Sequence, residues 1–323
     1  LAQGILADLA PLADKLRGDL AFFQGDMDTA VACYGRLVEQ LRLPHFLTRL
    51  AGARLAQGCD DQATGLWSQA LNARAWCVNT FLCLHDLLSG ADRETRTLDG
   101  GVAILLYTYN KAEDLGRTLE SLAASEVFAA PGVFVRVLDN GSRDGTAELL
   151  AAWQERLGPV RFGVESLPIN VGAPVARNWL MRLPDVAEAA WVVYLDDDVL
   201  LPTAWLGRLA AAAERYPEAG VWGCRVVDFH NQHLLQHVDL HLVDAPDMEV
   251  EDDIFSRRRF GLSNLHHQDL DLGQFSYVRP CVSVTGCCHL FRRDRLLQAG
   301  GFDLRFSPSQ YDDLDHDLRL CLA

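Results

Sequence analysis

The spacing of apolar residues divides the chain into two parts. Up to about residue 88, apolar positions recur at helical spacing and almost no stretch alternates, which predicts an all-α part. Beyond residue 101, β-rich runs are followed by helical patterns, as in GVAILLYTYN ahead of DLGRTLESL and WVVYLDDD ahead of TAWLGRLAAAAERY. VFVRVLDN and GVWGCRVV are further strand candidates. Strands that alternate with helices predict an α/β fold with a mostly parallel sheet flanked by helices.

The all-α part contains an internal repeat. LAFFQGDMDTAVACYGRL and ARLAQGCDDQATGLWSQAL align at an offset of 33 residues. The aligned pairs are Gly25 with Gly58, Ala30 with Ala63, and Tyr34 with Trp67. A turn glycine, a small residue where helices approach and an aromatic side chain that fills a groove suit pairs of antiparallel helices. The repeat resembles the tetratricopeptide (TPR) pattern, whose stacks form concave binding surfaces, and an unrelated helical bundle is the alternative.

A polar segment separates the two parts. LSGADRETRTLDGG is charged and ends in a glycine pair, which is typical of a linker. We therefore predict a TPR-like helical domain over residues 1–88, a linker over 89–101 and an α/β domain over 102–323. The chain stops at Ala323 within a predicted helix, and we expect carboxy-terminal elements beyond it.

Composition narrows the classes of partner and compartment. The 29 basic and 44 acidic residues give a net charge of −15, which disfavours nucleic acid because phosphate backbones bind to basic surfaces. No apolar run reaches the length of a transmembrane helix, and the start LAQGILADLA lacks the basic region of a secretory signal. Nine cysteines without a C-x-x-C pair indicate a reducing compartment. We predict a cytoplasmic protein, with a peripheral position at the inner membrane face as a second option.

Polar residues follow the predicted strands. Ligands of open parallel sheets bind at the carboxyl ends of the strands, here at residues 108–110, 139–142 and 196–198. We call Asp196, Asp197 and Asp198 the tri-aspartate loop; three adjacent carboxylates repel one another unless a cation lies among them. The Asp-x-Asp spacing suits Mg²⁺ or Mn²⁺, which would take its remaining ligands from phosphate and water. Asp197 is expected to point into solvent and Asp144 to cap a turn or helix, and a plain turn is the alternative for the whole loop.

Several motifs together resemble family 2 glycosyltransferases of the GT-A fold. They are VLDNGSRDGT, NVGAPVARN, LDDD and GGFDLRF followed by YDDLDHDLRL, and the resemblance spans Gly101 to Ala323. It implies a nucleotide-diphospho-sugar transferase with Mn²⁺ or Mg²⁺ as cofactor and a UDP-sugar as the favoured donor. The implied nucleotide-sugar-binding residues are Thr108, Asn110, Asp139, Asn140, Arg177, Asp196 and Asp197. The implied metal ligands are Asp198, bound directly, and Asp196, which lies nearer the ribose.

The resemblance also implies a catalytic base. Asp313, the second carboxylate of YDD, matches the family's base. At position 312, however, the family more often has Glu than Asp, so Asp312 is the alternative base. A base is needed to take the proton of the acceptor hydroxyl as that oxygen attacks the sugar. On a helix, Asp313 and Asp317 share one face, and Asp312 and Asp315 share another. Inversion at the anomeric carbon is implied by the resemblance.

Histidines and basic residues offer further candidates. His289 in TGCCHLFRR is expected to be a buried, satisfied histidine in a strand, with contact to a diphosphate or metal as the alternative. The spacing of His230, His233, His237 and His241 raises the option of zinc, which is disfavoured because HVDLHLV alternates like a strand and lacks neighbouring cysteine ligands. We expect residues 244–277 to form loops or a lid over the acceptor side, with Arg257–Arg259 as a solvated patch or a diphosphate contact.

These observations favour a metal-dependent, inverting glycosyltransferase of the hexosyltransferase type that transfers a sugar to a hydroxyl of a glycan, lipid or protein. The helical part is expected to bind a protein partner or to present the acceptor. One alternative is a catalytically inactive scaffold. Another is a nucleotidyltransferase, against which the absence of a basic, glycine-rich phosphate loop argues.

Overall fold

Helices make up the first part of the chain in the computed structural model, which describes residues 9–243, 261–263 and 266–322. Five α-helices lie before residue 93 within the described residues, and each packs against the next. They are α1 (Ala10–Phe23), α2 (Met27–Leu41), α3 (Pro44–Ala56), α4 (Asp60–Ala73) and α5 (Val78–Ser89). The predicted all-α part is therefore confirmed.

The sequence repeat coincides with two helix pairs, α1 with α2 and α3 with α4. In each pair a glycine with φ of 80° or 75° follows the first helix, which is backbone that favours glycine. The aligned alanine and aromatic residue are fully buried in the second helix of each pair, as Ala30 and Tyr34 and as Ala63 and Trp67. The repeat thus serves packing between the helices, while the TPR assignment itself stays a prediction.

The second part is built around a six-stranded sheet with the strand order β3-β2-β1-β4-β10-β5. Its strands are β1 (Val102–Thr108), β2 (Val133–Asp139), β3 (Phe162–Ser166), β4 (Trp191–Leu195), β5 (Trp222–Gly223) and β10 (Cys288–Arg292). Neighbours among β1 to β4 run parallel, and β10 is antiparallel to β4 and β5. The predicted mostly parallel α/β sheet is confirmed.

Further helices and two short antiparallel strand pairs accompany the main sheet. The helices are α6 (Ala112–Ala124), α7 (Thr146–Leu157), α8 (Ala173–Leu180), α9 (Trp205–Arg215), α10 (Arg293–Gln298) and α11 (Asp312–Leu322). Two antiparallel two-stranded pairs are β6 (Val226–Val227) with β7 (Leu235–His237), and β8 (Leu242–Val243) with β9 (Gly261–Leu262). The predicted lid overlaps residues 244–260, 264 and 265, which lie outside the described residues, as do the three arginines at 257–259.

Both faces of the main sheet are covered by apolar side chains. Alternate residues of β1 pack on one face with the leucines of α6: Val102, Ile104, Leu106, Leu115, Leu119 and Leu122. Ala103 and Leu105 belong to the cluster on the other face, together with Leu180 of α8. Successive side chains of a strand point to opposite faces, and leucines three or four residues apart share one face of a helix. Alternate residues of β1 therefore pack in different clusters, and the leucines of α6 pack in one of them.

The chain divides into two compact units, and the first includes more than the helices. It comprises residues 1–93, 225–238 and 265–279, and the second comprises residues 94–224, 239–264 and 280–323. In the first unit, Leu272 is buried in the helical core. The amide of Val278 donates to the Asp86 carboxylate, with an N–O distance of 2.8 Å. Residues that the sequence placed in the α/β domain therefore pack with the helices.

Two strand predictions differ from the structure. GVWGCRVV was expected to form one strand, but β5 joins the main sheet and β6 pairs with β7 in the first unit. An alternating run does not specify which sheet edge it joins, so the split was not visible in the sequence. Strand β3 was not predicted, because it has 5 residues and its apolar side chains are those of Phe162 and Val164 alone.

All nine cysteines are free thiols. Within the part of the chain that the structure covers, no helix has both the length and the apolar character needed to cross a bilayer.

Candidate active site

The candidate site lies at the edge of the main sheet where the parallel strands end. β1 ends at Thr108, which is paired with Asp139 at the end of β2. Two residues earlier, Leu106 is paired with Leu195 at the end of β4. The polar segments after these three strands therefore project from the same edge, as the sequence predicted from strand polarity.

The loops after β1 and β2 are tied together by hydrogen bonds. The Asn110 amide donates to the Ser142 hydroxyl (2.9 Å), and the Asn110 side-chain oxygen accepts from the Arg143 amide (2.8 Å). The Asp139 carboxylate accepts from the Ser142 amide (2.9 Å). Asn110 has a φ of 55°, which asparagine tolerates better than most residues. Asn110 and Asp139 therefore fix the shape of the loops as well as being candidate ligand contacts.

Asn140 connects the β2 end to the loop before α8. Its side-chain amide donates to the Asn170 side-chain oxygen, and its oxygen accepts from the Val171 amide, both at 2.9 Å. Gly141 has a φ of 83°, and a Cβ there would lie 2.8 Å from the Ile169 backbone. Asn140 is 2% exposed, so the structure gives this predicted nucleotide contact a role in holding the loop that leads to α8.

Asp144 lies just before helix α7 and bonds the first residues of helices α7 and α6. One carboxylate oxygen accepts from the amide and the hydroxyl of Thr146, and the other accepts from the Ala112 amide at 3.0 Å. Hydrogen bonding from Thr146 lowers the pKa of Asp144. The bond to the amide two residues along agrees with the turn role expected for Asp144, while the N-cap position of α7 is Gly145.

The tri-aspartate loop follows β4 directly. The exposed fractions of the side chains are 28% for Asp196, 11% for Asp197 and 46% for Asp198. The Lys111 ammonium lies 2.7 Å from a carboxylate oxygen of Asp198 and 3.3 Å from one of Asp197. The expectation that Asp197 points into solvent is wrong, because Asp197 turns inward, where it meets the Lys111 ammonium, and Asp198 is the exposed member.

Burial and mutual repulsion affect protonation in this loop. Burial raises the pKa of Asp196 to about 6; the Arg177 charge opposes this rise, and the charges of Asp198 and Asp197 add to it. Burial also raises the pKa of Asp197, against the lowering effects of the Thr108 hydroxyl and Lys111. The loop therefore carries more negative charge than its protein surroundings balance.

Arg177 of α8 is buried between two parts of the site. One guanidinium nitrogen lies 2.6 Å from an Asp312 oxygen, and another lies 3.8 Å from an Asp196 oxygen. The guanidinium carbon is 5.4 Å from the centre of the Tyr107 ring and 5.2 Å from that of Phe302. The predicted position of Arg177 beside the tri-aspartate loop agrees with this geometry, and the ion pair with Asp312 had not been predicted.

The carboxylates of α11 have separate partners. Asp312 is 3% exposed, and burial raises its pKa against the lowering effect of Arg177. Asp313 is less buried, and its oxygens accept from the Gly286 amide (2.9 Å) and from the adjacent Leu314 amide (2.8 Å). Asp312 thus pairs with the Arg177 guanidinium, whereas Asp313 accepts from the backbone amide of Gly286.

Asp317 and Asp315 differ in burial. Asp317 is 1% exposed and accepts from the Ser283 hydroxyl (2.9 Å) and the Val284 amide (3.0 Å), and burial raises its pKa to about 7. Asp315 lies near the surface in an ion pair with Arg319. Asp313 and Asp317 thus face the segment before β10, as predicted for one helix face, whereas Asp312 and Asp315 have unlike surroundings.

Two buried histidines flank these carboxylates. His289 in β10 and His316 in α11 are both fully buried, and burial lowers their pKa values to about 3 and about 4. One ring nitrogen of His289 lies 3.3 Å from the Val284 carbonyl oxygen. The Nδ1 atom of each ring has no hydrogen-bond partner among the described residues. His289 is therefore buried as expected, but only one of its nitrogens is satisfied.

The donor set of the tri-aspartate loop suits a hard divalent cation. Asp196 and Asp198 offer carboxylate oxygens, the ligands that Mg²⁺ and Mn²⁺ favour, and the excess negative charge attracts such an ion. In residues 9–243, 261–263 and 266–322, no three His, Cys, Asp or Glu side chains are grouped closely enough to hold a metal by themselves. The residues thus fit a cation that takes further ligands from phosphate and water. The stretch FHNQHLLQHVDLH offers no zinc site within the same residues.

Two site residues were missed by sequence reasoning. Lys111 follows Asn110 directly, and its signal was available because the chain contains only two lysines, at positions 15 and 111. Gly286 lies where a Cβ would be 2.8 Å from an Arg177 nitrogen and 3.1 Å from an Asp313 oxygen. No local pattern marks this glycine, since the close approach involves residues far away in the sequence.

Two solved structures are among those similar to this chain. Mannosyltransferase PcManGT from Pyrobaculum calidifontis, in complex with GDP-Man and Mn²⁺, is 18% identical over 78% of this chain and 62% of its own, with a TM-score of 0.45. S. aureus TarS is 18% identical over 68% of this chain and 33% of its own, with a TM-score of 0.45.

Curated relatives are more similar in sequence. The O-antigen biosynthesis protein RfbC of Myxococcus xanthus is 27% identical over 67% of this chain and 16% of its own length. The N-acetylglucosaminyl-diphospho-decaprenol L-rhamnosyltransferase of Mycobacterium tuberculosis is 27% identical over 63% of this chain and 65% of its own length. The chain therefore spans less than two thirds of either relative.

A family model also matches the chain. The model described as glycosyl transferase family 2 matches residues 103–297, which is more than half of the chain. The matched range contains the three strand ends, the tri-aspartate loop and Arg177, and it stops before Asp312 and Asp313. On this match, the chain belongs to glycosyl transferase family 2.

Proposed function

We propose that this chain is a metal-dependent, inverting glycosyltransferase that moves a sugar from a nucleoside-diphosphate donor, with a UDP-sugar favoured, to a hydroxyl acceptor. The observation that carries the proposal is the convergence of separate carboxylates at one sheet edge. Asp139, the tri-aspartate loop and Asp313 come from three distant parts of the sequence. The β1 loop is bonded to the β2 loop through Asn110 and to the tri-aspartate loop through Lys111, and Arg177 lies between Asp196 and Asp312, the neighbour of Asp313. Such an edge is where open α/β sheets bind ligands.

In this proposal the strand-end loops hold the nucleotide. The Asp139 carboxylate accepts a hydrogen bond from the base, such as the imide N–H of uracil, and Thr108 and Asn110 line the pocket beside it. Asn140 keeps the α8 loop in place, since its side chain is bonded to Asn170 and Val171. Preformed loops reduce the conformational entropy that donor binding must overcome.

Asp198 and Asp196 would hold Mn²⁺ or Mg²⁺. The bound cation supplies neutralisation of the negative charge on the departing nucleoside diphosphate. Asp198 is the more exposed of the two carboxylates and therefore the more accessible ligand. Asp196 is held at the sheet edge, where its amide donates to the Cys287 carbonyl oxygen at 3.1 Å.

We assign the catalytic base to Asp313 rather than to Asp312. The Asp312 carboxylate is 3% exposed and bound to Arg177 at 2.6 Å, so a substrate hydroxyl cannot easily reach it. Asp313 is less buried and is oriented by two backbone amides. Its carboxylate would take the acceptor hydroxyl's proton while that oxygen bonds to the anomeric carbon and the bond to the diphosphate oxygen breaks. Attack from the side opposite the diphosphate inverts the anomeric centre.

The acceptor class is proposed from the relatives' names. A rhamnosyltransferase acting on N-acetylglucosaminyl-diphospho-decaprenol and an O-antigen biosynthesis protein favour a lipid-linked or surface glycan over a protein acceptor. We propose a cytoplasmic location, with which nine free thiols are compatible, and an enzyme that works at the inner membrane face when its acceptor is lipid-linked.

The test is a panel of nucleotide sugars with Mn²⁺, scored by nucleoside diphosphate release and by thermal shift. Asp198→Ala is expected to lose metal-dependent nucleotide binding. Asp313→Asn is expected to keep nucleotide binding and to lose transfer by a factor of about 10² or more, because it removes the base. Asp315→Asn is the matched control, since it changes a surface carboxylate of the same helix.

The outcomes separate the candidate functions. Full activity of Asp313→Asn would refute the base assignment. Nucleotide binding without turnover of any donor and acceptor would favour the inactive scaffold. Pyrophosphate release from a nucleoside triphosphate would favour a nucleotidyltransferase.

We propose that the helical unit binds segments of its own chain, and that a protein partner can bind to it as well. Within this unit the Leu272 carbonyl oxygen would lie 2.3 Å from a Cβ placed on Gly52, so backbone and helix are in direct contact. The Cys83 thiol donates to the Gly273 carbonyl at 3.2 Å. Residues 272 and 273 thus cover part of the surface of helices α3 and α5 within this unit.

Limited proteolysis tests this role. Leu272→Ser is expected to expose residues 265–279 to cleavage, because it removes the buried anchor of that segment. Leu12→Ser, at an exposed position of α1, is the control. Equal cleavage rates of the two variants and the wild type would contradict the proposal.

A further inference from the structure

Lys111 contacts two of the three carboxylates of the tri-aspartate loop. Its ammonium lies 2.7 Å from an oxygen of Asp198 and 3.3 Å from one of Asp197. We propose that Lys111 is the resident counter-cation of this loop: it gives up Asp198 when a divalent cation binds and keeps Asp197. The inference rests on the proposed metal-dependent transfer and adds a residue that controls access of the metal to its site.

The balance of charge makes Lys111 necessary. Among the described residues, Arg177 is the other cation near the loop, but it lies 3.8 Å from Asp196 and is bound to Asp312 at 2.6 Å. Lys111 is therefore the described cation that neutralises Asp197 and Asp198. Asp197 is largely buried, where an unpaired charge is costly, so its contact with the ammonium is the one to persist.

Exposure shows which contact can be released. The side chains of Lys111 and Asp198 are 42% and 46% exposed, so water can replace the hydrogen bond between them at little cost. Asp197 is 11% exposed and has no comparable access to water. An incoming cation would thus displace the ammonium from Asp198 and leave the inner contact intact.

The choice of lysine at this position fits an exchangeable cation. The chain uses arginine 27 times and lysine twice. A guanidinium forms planar, bidentate pairs with one carboxylate, whereas an ammonium is a compact charge on a flexible stem that can divide its donors between two carboxylates. The lysine ammonium can therefore release its contact with one carboxylate and keep its contact with the other. An arginine guanidinium does this less readily.

Mn²⁺ binding without nucleotide, measured by electron paramagnetic resonance, tests the inference. Lys111→Met is expected to bind Mn²⁺ about five- to tenfold more tightly than the wild type, because a neighbouring positive charge is removed. Lys111→Arg is expected to bind Mn²⁺ more weakly than the wild type. Lys15→Met is the matched control, since Lys15 is the other lysine and is also paired with an aspartate, Asp19, at 2.6 Å.

The two lysines allow a second measurement on the unaltered protein. The acylation rate of each lysine by an amine-reactive reagent can be followed by mass spectrometry, with Lys15 as the internal reference. Mg²⁺ is expected to raise the rate at Lys111 relative to Lys15, because the ammonium loses its hydrogen bond to Asp198. This measurement holds even where Lys111→Met folds poorly.

The outcomes distinguish this inference from the proposed function. Tighter Mn²⁺ binding by Lys111→Met with a faster Lys111 acylation supports it. If the wild type binds Mn²⁺ and Lys111→Met binds it equally or less tightly, the role of Lys111 is refuted and the metal site stands. If neither protein binds Mn²⁺, with or without UDP present, the inference and the metal part of the proposed function both fail.

Discussion

Replacement of Arg177 by methionine tests whether the buried guanidinium holds the site together. Methionine keeps the apolar stem and removes the charge. The change would leave Asp312, which is 3% exposed, without the partner that lies 2.6 Å away. It would also remove the cation that lies 3.8 Å from Asp196.

The expected loss follows from these contacts. Removing one member of a buried ion pair typically costs about 3–5 kcal/mol of unfolding free energy, because the other charge stays buried. Loss of the guanidinium between the Tyr107 and Phe302 rings adds about 1 kcal/mol. Burial already raises the pKa of Asp312 against the lowering effect of Arg177, and the variant loses that lowering effect. Protonation of Asp312 would relieve the buried charge, so the loss should be smaller at pH 5 than at pH 8.

Urea unfolding followed by far-UV circular dichroism at both pH values measures this loss, with separate transitions fitted if the two units unfold independently. Arg182→Met is the control; Arg182 is exposed, and its guanidinium donates to the Asn178 carbonyl. It should change stability by less than about 0.5 kcal/mol. An Arg177→Met variant that folds and lies within about 1 kcal/mol of the wild type at pH 8 would refute the reasoning.

Two further predictions concern residues around Arg177. Gly286→Ala places a Cβ 2.8 Å from an Arg177 nitrogen that its ion pairs hold in place, so transfer should fall about tenfold or more in the release assay. Gly116→Ala, a glycine of α6 with ordinary contacts at 3.8 Å, should leave transfer unchanged and gain about 0.5–1 kcal/mol; equal losses in both variants would contradict the role of Gly286. For Asp317, the folded pKa of about 7 exceeds the ordinary 3.8, so its ionisation lowers stability as pH rises between those values. The stability of Asp317→Asn relative to the wild type should therefore rise from pH 4 to pH 8, by up to about 4 kcal/mol, and a constant difference in unfolding free energy would contradict the assignment.

Much of the fold was predictable because local patterns specify it. Strands β1, β2 and β4 carry strong apolar patterns, and the helices after them have leucines at helical spacing. Together with the motifs, these patterns predicted the family, which the match to residues 103–297 confirms. Strand β3 was missed because it is short and has two apolar side chains. The division of GVWGCRVV between two sheets depends on partners that the segment itself does not specify.

The positions of candidate site residues were predictable, but their partners were not. The ends of three strands had to meet at one edge, which follows from a parallel sheet. The ion pair of Arg177 with Asp312 joins residues 135 positions apart, and the contact of Lys111 with Asp197 joins residues 86 apart. Three consecutive aspartates give no local indication of which one turns inward, so the burial of Asp197 required the structure.

The charges of the site give a physical reason for donor and metal to bind together. In the part of the chain that the structure describes, the tri-aspartate loop, Asp312 and Asp313 supply five carboxyl groups near two cations, Lys111 and Arg177. A nucleoside diphosphate alone would be repelled by this charge, and a divalent cation alone would find few protein ligands. The cation and the diphosphate neutralise each other and complete each other's coordination, so each should raise the affinity for the other by the same factor. In this arrangement an acidic protein can bind an anionic substrate because the unbalanced carboxylates bind the cation that accompanies it.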